Sequence, residues 1–160
     1  MSVRTGIGYD AHRFEAGRPL WLGGVQINFG FGLAGHSDGD VLIHAGVDAI
    51  LGAAGLGDIG EHFPSSDPSF AGVSSVKFLE YVEVVLRDTG WRLSNLDATI
   101  IAEQPRISPH AQSMRAAISD SLKCDISVVN IKSTTTDGMG FPGRMEGMAA
   151  FAIATIEARS

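Results

Sequence analysis

A carboxylate and two imidazoles near the start of the sequence are of types that suit a divalent transition metal. Asp10 and His12 are two residues apart at the end of a predicted strand, Thr5 to Asp10, and such residues project from the same face. His44 lies in a predicted helix and would supply a third ligand. Three protein ligands with a fourth position open is the arrangement of catalytic zinc. Spacing alone nevertheless favours a structural interpretation, in which Asp10 orients His12 and His44 is a surface histidine.

A dense polar cluster, His36 to Asp40, precedes the same predicted helix. Ser37 and the backbone amides around it would hold phosphate oxygens at the helix N-terminus. The structural alternative is a capping segment, in which Asp38 and Asp40 lie at the positive end of the helix dipole. Capping explains the two aspartates well and His36 poorly.

A second polar group, Thr134 to Asp137, follows a predicted strand at Val128 to Ser133. Three hydroxyls and a carboxylate in a row would bind phosphates together with a hard cation. A run of threonines also favours a strand, which by itself is the simpler interpretation. The sequence contains no Gly-x-x-x-x-Gly-Lys-Ser/Thr, Gly-x-Gly-x-x-Gly or Gly-x-Ser-x-Gly motif. A Walker-type phosphate site is therefore excluded, and a nucleophile elbow has no support.

Strands and helices alternate along the chain and must position these groups. Further strands are predicted at Leu20 to Ile27, from Asn95 within Trp91 to Ile101, and at Met145 to Ile156. Helices are predicted from Asp38 or Asp40, over Ser75 to Asp88, and from Pro109 to about Lys123 with Ser108 as the cap. Loops are predicted at Gly30 to Gly35, Gly55 to Phe70 and Thr134 to Arg144. This order predicts an α+β fold, with helices on one face of a mixed, ferredoxin-like β-sheet. We expect one small domain over residues 1–160, and a partner subunit over the other sheet face.

Composition narrows the class of protein. The 160 residues are 44% apolar and 19% charged, as in an ordinary globular domain, and the formal net charge of −6 argues against a general nucleic-acid binder. No apolar stretch is long enough for a transmembrane helix and no signal-like segment begins the chain, which predicts a cytoplasmic protein without a membrane partner. Cys124 is the only cysteine; we interpret it as structural.

Six short motifs, each weak alone, together resemble the 2-C-methyl-D-erythritol 2,4-cyclodiphosphate synthase family over essentially the whole chain. They are Gly-Tyr-Asp-Ala-His (Gly8 to His12), His-Ser-Asp-Gly-Asp (His36 to Asp40), Leu-Gly-Asp-Ile-Gly (Leu56 to Gly60), Phe-Pro-Ser-Ser-Asp-Pro (Phe63 to Pro68), Thr-Thr-Thr-Asp (Thr134 to Asp137) and Gly-Phe-Pro-Gly-Arg (Gly140 to Arg144). The resemblance implies a lyase of isoprene biosynthesis by the non-mevalonate pathway. Such an enzyme converts 4-diphosphocytidyl-2-C-methyl-D-erythritol 2-phosphate to the 2,4-cyclodiphosphate with release of CMP. It also implies a homotrimer with active sites between subunits.

The resemblance further implies two metal sites. Asp10, His12 and His44 would hold one Zn²⁺ per subunit. Asp137, where some members have glutamate, would hold Mg²⁺ or Mn²⁺ together with substrate phosphates.

The remaining site residues are carried over by motif. His36 and Thr135 match catalytic, phosphate-stabilising positions. The methylerythritol pocket matches Ser37, Asp58, Gly60, Phe63, Pro64, Ser65, Ser66 and Asp67, where Ser65 and Ser66 replace the Asp-Thr of some members. The cytidine pocket matches Ala102, Glu103, Gln104, Pro105, Arg106, Ile107, Ser108, Thr134 and Thr136. Phe141 and Arg144 would line an axial cavity that takes an isoprenoid diphosphate.

Two other functions compete with this one. A zinc hydrolase would place water at the open metal position, but no His-Glu-x-x-His motif supplies a general base. A non-enzymatic, trimeric ligand-binding module would leave the set of Asp10, His12 and His44 unexplained.

Overall fold

Most strands of the protein form one mixed sheet. The computed structural model describes residues 2–159. The strands are β1 (Val3–Ala16), β2 (Leu20–Leu22), β3 (Val25–Ile27), β4 (Phe31–Leu33), β5 (Trp91–Ile101), β6 (Val129–Thr134) and β7 (Gly147–Ala158). The main sheet has the order β4-β1-β7-β5-β6, and β2 pairs with β3 in a separate hairpin.

Five α-helices in the described part of the chain connect the strands. They are α1 (Val41–Ala54), α2 (Ile59–His62), α3 (Val76–Asp88), α4 (Ala111–Leu122) and α5 (Gly140–Gly143), with 3-10 turns at Pro68–Phe70, Ser108–His110 and Ile126–Val128. The helix α1 begins after Asp40, whose side chain accepts a hydrogen bond from the backbone N–H of Ile43. It ends at Gly55, which has a left-handed conformation with φ of 73°. Within residues 2–159, no helix combines the length and apolar character needed to cross a membrane.

Three of the main-sheet strands run in the same direction. Both β1 and β5 are antiparallel to β7, and β6 is parallel to β5. Ala11 of β1 and Ile101 of β5 both pair with Ala149 of β7, so they lie at the same level of the sheet. Asp10 and His12 within β1 and the polar residues that follow β5 and β6 therefore lie toward the same end of the sheet.

The helix α1 lies unusually close to β1. A Cβ atom on Gly8 would come within 1.9 Å of the carbonyl oxygen of Ala45, and one on Gly6 within 2.2 Å of that of Ala49. Two residues along a strand and four along a helix cover similar distances, about 6–7 Å. The two glycines thus form a flat surface on β1 against which α1 packs, and only residues without a side chain fit there.

Within residues 2–159, no helix covers the opposite face of the sheet. Ile7, Tyr9, Phe151 and Ile153 project from it and are between 45% and 67% exposed. The rings of Tyr9 and Phe151 have centroids 4.8 Å apart. These four residues, named here the apolar sheet face, form a contiguous patch of a kind that marks interaction surfaces.

The predicted α+β class, with helices on one face of a mixed sheet, is confirmed. The ferredoxin-like connectivity is wrong. That fold has the order β-α-β-β-α-β, whereas the main strands and helices here follow β-α-β-α-β-β. The reason is that α4 lies between β5 and β6, so those strands become parallel neighbours.

Several predicted elements also change. The predicted strand Leu20 to Ile27 is a hairpin, because Gly23 and Gly24 take positive φ angles and reverse the chain. The predicted loop Gly30 to Gly35 contains β4. Ser108 begins a 3-10 turn and does not cap α4, whose preceding residue is His110.

Candidate active site

The three proposed metal ligands converge. Asp10 Oδ2 lies 2.8 Å from His12 Nε2 and 3.0 Å from His44 Nδ1, and the two imidazole nitrogens are 3.2 Å apart. A tetrahedral zinc ion with bonds of about 2.0–2.2 Å would set its ligand atoms roughly 3.3–3.6 Å apart. The cluster is slightly tighter than that, and small outward rotations of the side chains would accommodate the ion. Among residues 2–159, no other three His, Cys, Asp or Glu side chains form such a group.

Local structure explains why these side chains meet. Asp10 and His12 continue the face of β1 on which Gly6 and Gly8 contact α1. His44 lies in the first turn of α1, directly above that face. Because the glycines let the helix approach, imidazoles from a strand and a helix reach one carboxylate.

The start of α1 is anchored by a buried carboxylate. Asp40 is fully buried and accepts hydrogen bonds from the backbone N–H groups of Gly23, Gly24 and Ile43. It therefore ties α1 to the turn of the β2–β3 hairpin. Of the two candidate caps, Asp40 is the one that caps the helix, and burial raises its pKa to about 6.

Electrostatics keep the metal-site carboxylate ionised. Burial acts to raise the pKa of Asp10, but hydrogen bonds and charges from His12 and His44 outweigh it and hold that pKa far below its usual range. An ionised carboxylate beside two imidazoles is a donor set that fits a divalent metal.

The far side of the His44 ring makes a second set of hydrogen bonds. His44 Nε2 lies 2.9 Å from Ser75 Oγ and 3.1 Å from Ser37 Oγ. Ser75 is in turn bonded to Asp38 through both its hydroxyl and its backbone N–H. No sequence pattern pointed to Ser75, because it is separated from His44 by 31 residues.

A cavity of about 220 Å³ adjoins the metal cluster. Its lining includes the predicted residues His36, Ser37, Gly60, Phe63 and Ser65 together with His12 and His44, and adds three apolar residues not predicted, Ile59, Phe70 and Phe78. Phe63 stacks on Phe78 with ring centroids 4.2 Å apart, an apolar contact that sequence spacing does not reveal. Pro64, Ser66 and Asp67 belong to the same loop but lie outside this lining.

The walls of this cavity are held by carboxylates and by His36. Asp58 caps α2 by accepting a hydrogen bond from the N–H of Glu61. Asp48, which was not predicted, accepts one from the N–H of Ile59 and so fixes the start of α2 against α1. His36 Nε2 lies 3.0 Å from the carbonyl oxygen of Asp67 and links the two flanking loops.

A second cavity, of about 370 Å³, lies where β5 and β6 end. Ala102 to Ile107 line it with Ser133, Thr134 and Thr135. Most of the predicted cytidine pocket is therefore brought together, whereas Ser108 and Thr136 lie outside the lining and Ser133 is added. Glu103 Oε1 accepts hydrogen bonds from the N–H groups of Thr136 and Gly138, which hold the pKa of Glu103 below its usual value.

Asp137 stands apart from the metal cluster. Its N–H donates to Thr135 Oγ1 at 3.3 Å, and the Thr135 hydroxyl lies 3.3 Å from Asp137 Oδ1. Asp137 has a φ of 53°, a left-handed conformation uncommon outside glycine. Among residues 2–159, Asp137 belongs to no group of three His, Cys, Asp or Glu side chains that could hold a metal ion. A cation at Asp137 would therefore need further ligands from elsewhere.

Of the residues proposed for an axial cavity, Phe141 lines a cavity and Arg144 lies beside it, paired with Glu146 of the same lining. Phe141 lines a cavity of about 730 Å³ with Phe14, Phe31 and Met145. Arg144 is not part of that lining and pairs with Glu146 at 2.9 Å.

Residues 3–157 match the model of the YgbB family. The chain belongs to the YgbB family. A relative from Azotobacter vinelandii, 2-C-methyl-D-erythritol 2,4-cyclodiphosphate synthase, is 52% identical over 154 residues, which are 96% of this chain and 98% of the relative.

Solved structures agree with this membership. The bifunctional IspDF of Campylobacter jejuni superposes with a TM-score of 0.94 at 43% identity, covering 98% of this chain and 42% of that longer one. A complex of Plasmodium falciparum IspF with CDP gives a TM-score of 0.88 at 33% identity, covering 99% and 98% of the two chains. Over nearly its full length, this YgbB-family chain therefore shares its fold with the solved IspF and IspDF proteins.

Proposed function

We propose that this chain converts 4-diphosphocytidyl-2-C-methyl-D-erythritol 2-phosphate to 2-C-methyl-D-erythritol 2,4-cyclodiphosphate and CMP. The observation that carries the proposal is the cluster of Asp10, His12 and His44, with room for a further ligand, beside a small cavity. The family relationship and the relatives' names support it.

The reaction needs no nucleophile from the protein. An oxygen of the substrate's own 2-phosphate forms a bond to the β-phosphorus, the bond from that phosphorus to the CMP oxygen breaks, and CMP leaves with the electron pair. The barrier lies in bringing two anionic phosphates together, so holding them in line accounts for much of the rate, in favourable cases roughly 7–11 kcal/mol. Cys124 has no role in such a step.

The cluster fits zinc, with one ion per subunit held by Asp10, His12 and His44. A bound zinc ion would act as a Lewis acid that withdraws charge from a phosphate oxygen. We assign Mg²⁺ or Mn²⁺ to Asp137, where phosphate oxygens of the substrate would supply the missing ligands.

The protein's own groups then have distinct tasks. His36 and the Thr135 hydroxyl donate hydrogen bonds to phosphoryl oxygens. We assign the methylerythritol to Ser37, Asp58, Gly60 and the loop over residues 63–67, of which Ser37, Gly60, Phe63 and Ser65 line the first cavity. The cavity lined by residues 102–107 and 133–135 would hold the cytidine. Apolar rings around the first cavity exclude water from the reacting phosphates.

We further propose that the active site forms between subunits of a homotrimer. Two observations support this arrangement: the apolar sheet face is open to solvent in the single chain, and, within residues 2–159, the two cavities share no lining residue. Sedimentation should give three times the chain mass, and Ile153→Lys should dissociate the assembly. Val84→Lys, at a helix position of similar exposure, serves as the control. A parental monomer at micromolar concentration would refute the arrangement.

An isoprenoid diphosphate in an axial cavity remains part of the proposal through Phe141 and Arg144. The exposed guanidinium of Arg144 would attract the diphosphate once the ion pair between Arg144 and Glu146 has broken. Equal binding of geranyl diphosphate by the parent and Arg144→Ala would count against this assignment.

The decisive experiment is product analysis with zinc and magnesium present. We expect CMP and the cyclic diphosphate in equal amounts, without inorganic phosphate. Release of phosphate would instead favour a zinc hydrolase. Elemental analysis should find about one zinc per chain, and His44→Ala should lose most of it; a variant with full zinc content would refute the ligand assignment.

A further inference from the structure

The two nitrogens of the His44 ring face different surroundings. Nδ1 points to the metal cluster, 3.0 Å from Asp10 Oδ2. Nε2 points away from it, 2.9 Å from Ser75 Oγ and 3.1 Å from Ser37 Oγ. An imidazole binds a metal through a nitrogen without hydrogen, so the other nitrogen must carry the N–H. Whatever makes Nε2 the donor therefore makes Nδ1 the ligand.

Ser75 accepts a hydrogen bond from this N–H because its own proton is already engaged. The Ser75 hydroxyl is 2.5 Å from Asp38 Oδ1, and the Ser75 backbone N–H donates to Asp38 Oδ2 at 2.8 Å. An ionised carboxylate only accepts, and a hydroxyl has a single proton to give. The proton of Ser75 thus points to Asp38, and a lone pair of Ser75 Oγ is left for His44.

The carboxylate is itself held in place. Asp38 Oδ1 also accepts from the backbone N–H of Asp40, at 3.1 Å. Ser75 is fully buried, so water does not compete for its hydroxyl. The chain of hydrogen bonds runs in one direction, from His44 Nε2–H to Ser75 and from Ser75 to Asp38.

We propose that Asp38 and Ser75 are positioning residues that select the Nε2–H tautomer of His44 and thereby make Nδ1 a metal ligand. The inference rests on the metal site of the proposed function. It gives Asp38 a task other than helix capping, which Asp40 performs. Ser37, whose Oγ also accepts weakly from the Gly39 N–H at 3.4 Å, is a secondary acceptor for the same ring nitrogen.

The first test measures zinc affinity by competition with a chelating dye, without substrate. Partners of this kind typically contribute 10–100-fold to metal affinity. We expect Ser75→Ala to weaken zinc binding by about that factor and Asp38→Asn, which keeps the side-chain shape, to weaken it as well. Ser119→Ala is the matched control, because Ser119 is also buried but its hydroxyl donates only to the carbonyl of Ala116 in its own helix. It should bind zinc like the parent.

The second test reads the tautomer directly in metal-free protein, with Asp10→Ala introduced into the parent and every variant, because the ionised Asp10 carboxylate, 3.0 Å from Nδ1, only accepts and would itself hold a proton there. Long-range ¹H–¹⁵N spectra distinguish a protonated Nε2 from a protonated Nδ1. The parent and Ser119→Ala should show His44 protonated at Nε2, whereas Ser75→Ala and Asp38→Asn should shift it toward Nδ1. Parental zinc affinity in both site variants, or an unchanged tautomer in both, would overturn the proposal. If His44 shows the Nε2–H tautomer in that background but the parent with Asp10 intact binds no zinc, the metal site of the proposed function would instead be overturned.

Discussion

Replacing Gly8 by alanine should damage both the fold and the metal site. The new Cβ would lie 1.9 Å from the carbonyl oxygen of Ala45 and 2.8 Å from the N–H nitrogen of Ala49, both backbone atoms of α1. Ordinary contact begins at 3.4 Å, so the helix would have to retreat by roughly 1.5 Å. Overpacking of this kind costs about 3 kcal/mol when neither side can yield.

The same retreat should open the metal cluster. His44 is carried by α1 and Asp10 by β1, and their ligand atoms are 3.0 Å apart. Metal–ligand distances tolerate changes of only about 0.2 Å. We therefore expect zinc affinity to fall by about tenfold or more, alongside a melting temperature lowered by roughly 6–12 °C.

Calorimetry and dye competition on the same samples provide the assay. Gly46→Ala is the matched control, since its Cβ would find only Leu96 Cδ2 at 3.9 Å. In a helix interior, alanine is more stable than glycine by up to about 1 kcal/mol. The control should melt no lower than the parent and bind zinc equally. A Gly8→Ala protein with parental melting temperature would refute the reasoning from close approach.

Three further outcomes are expected. Burial raises the pKa of Asp40 to about 6, so its protonation stabilises the folded state at low pH by about 3 kcal/mol, a contribution that is lost as pH rises from about 4 to 6. The free energy of unfolding, measured in urea, should therefore vary less with pH in Asp40→Asn than in the parent. An unchanged pH dependence in that variant would contradict this. Glu103→Ala should weaken CDP binding, measured by calorimetry, about tenfold, because it removes the hydrogen bonds that hold the loop at Thr136 and Gly138. Glu103→Gln keeps an acceptor and should bind CDP normally. Equal affinities of the two variants would count against this role of Glu103. Thr135→Val should lower kcat by about 10²–10³-fold at full zinc occupancy, because it removes the hydroxyl proposed to donate to a phosphate oxygen; parental turnover would show that the hydroxyl has no such role.

Much of the local structure could be predicted from the sequence. The period of two along a strand put Asp10 and His12 on one face, and the apolar period of α1 put His44 on a helix. Glycine and proline marked most of the loops. These features depend on neighbours within a few residues, which is why a single sequence reveals them.

Three features depended on the tertiary fold: the hairpin at Gly23 and Gly24, the parallel pairing of β5 with β6, and the strand β4. In each case the local sequence pattern allows more than one strand pairing equally well. The ferredoxin-like connectivity failed for this reason, since strand order is decided by where whole helices pack and not by the residues of one strand.

The sequence by itself identified the candidate side chains: one carboxylate and two imidazoles of types that suit a metal, and polar loops that follow strands. Only the tertiary structure decided that they meet. Gly6 and Gly8 bring α1 onto β1 at a distance that a single Cβ would forbid, and Ser75 reaches His44 across 31 residues of chain. Contacts between such distant residues arise from packing of whole elements, and no periodicity within either element encodes them.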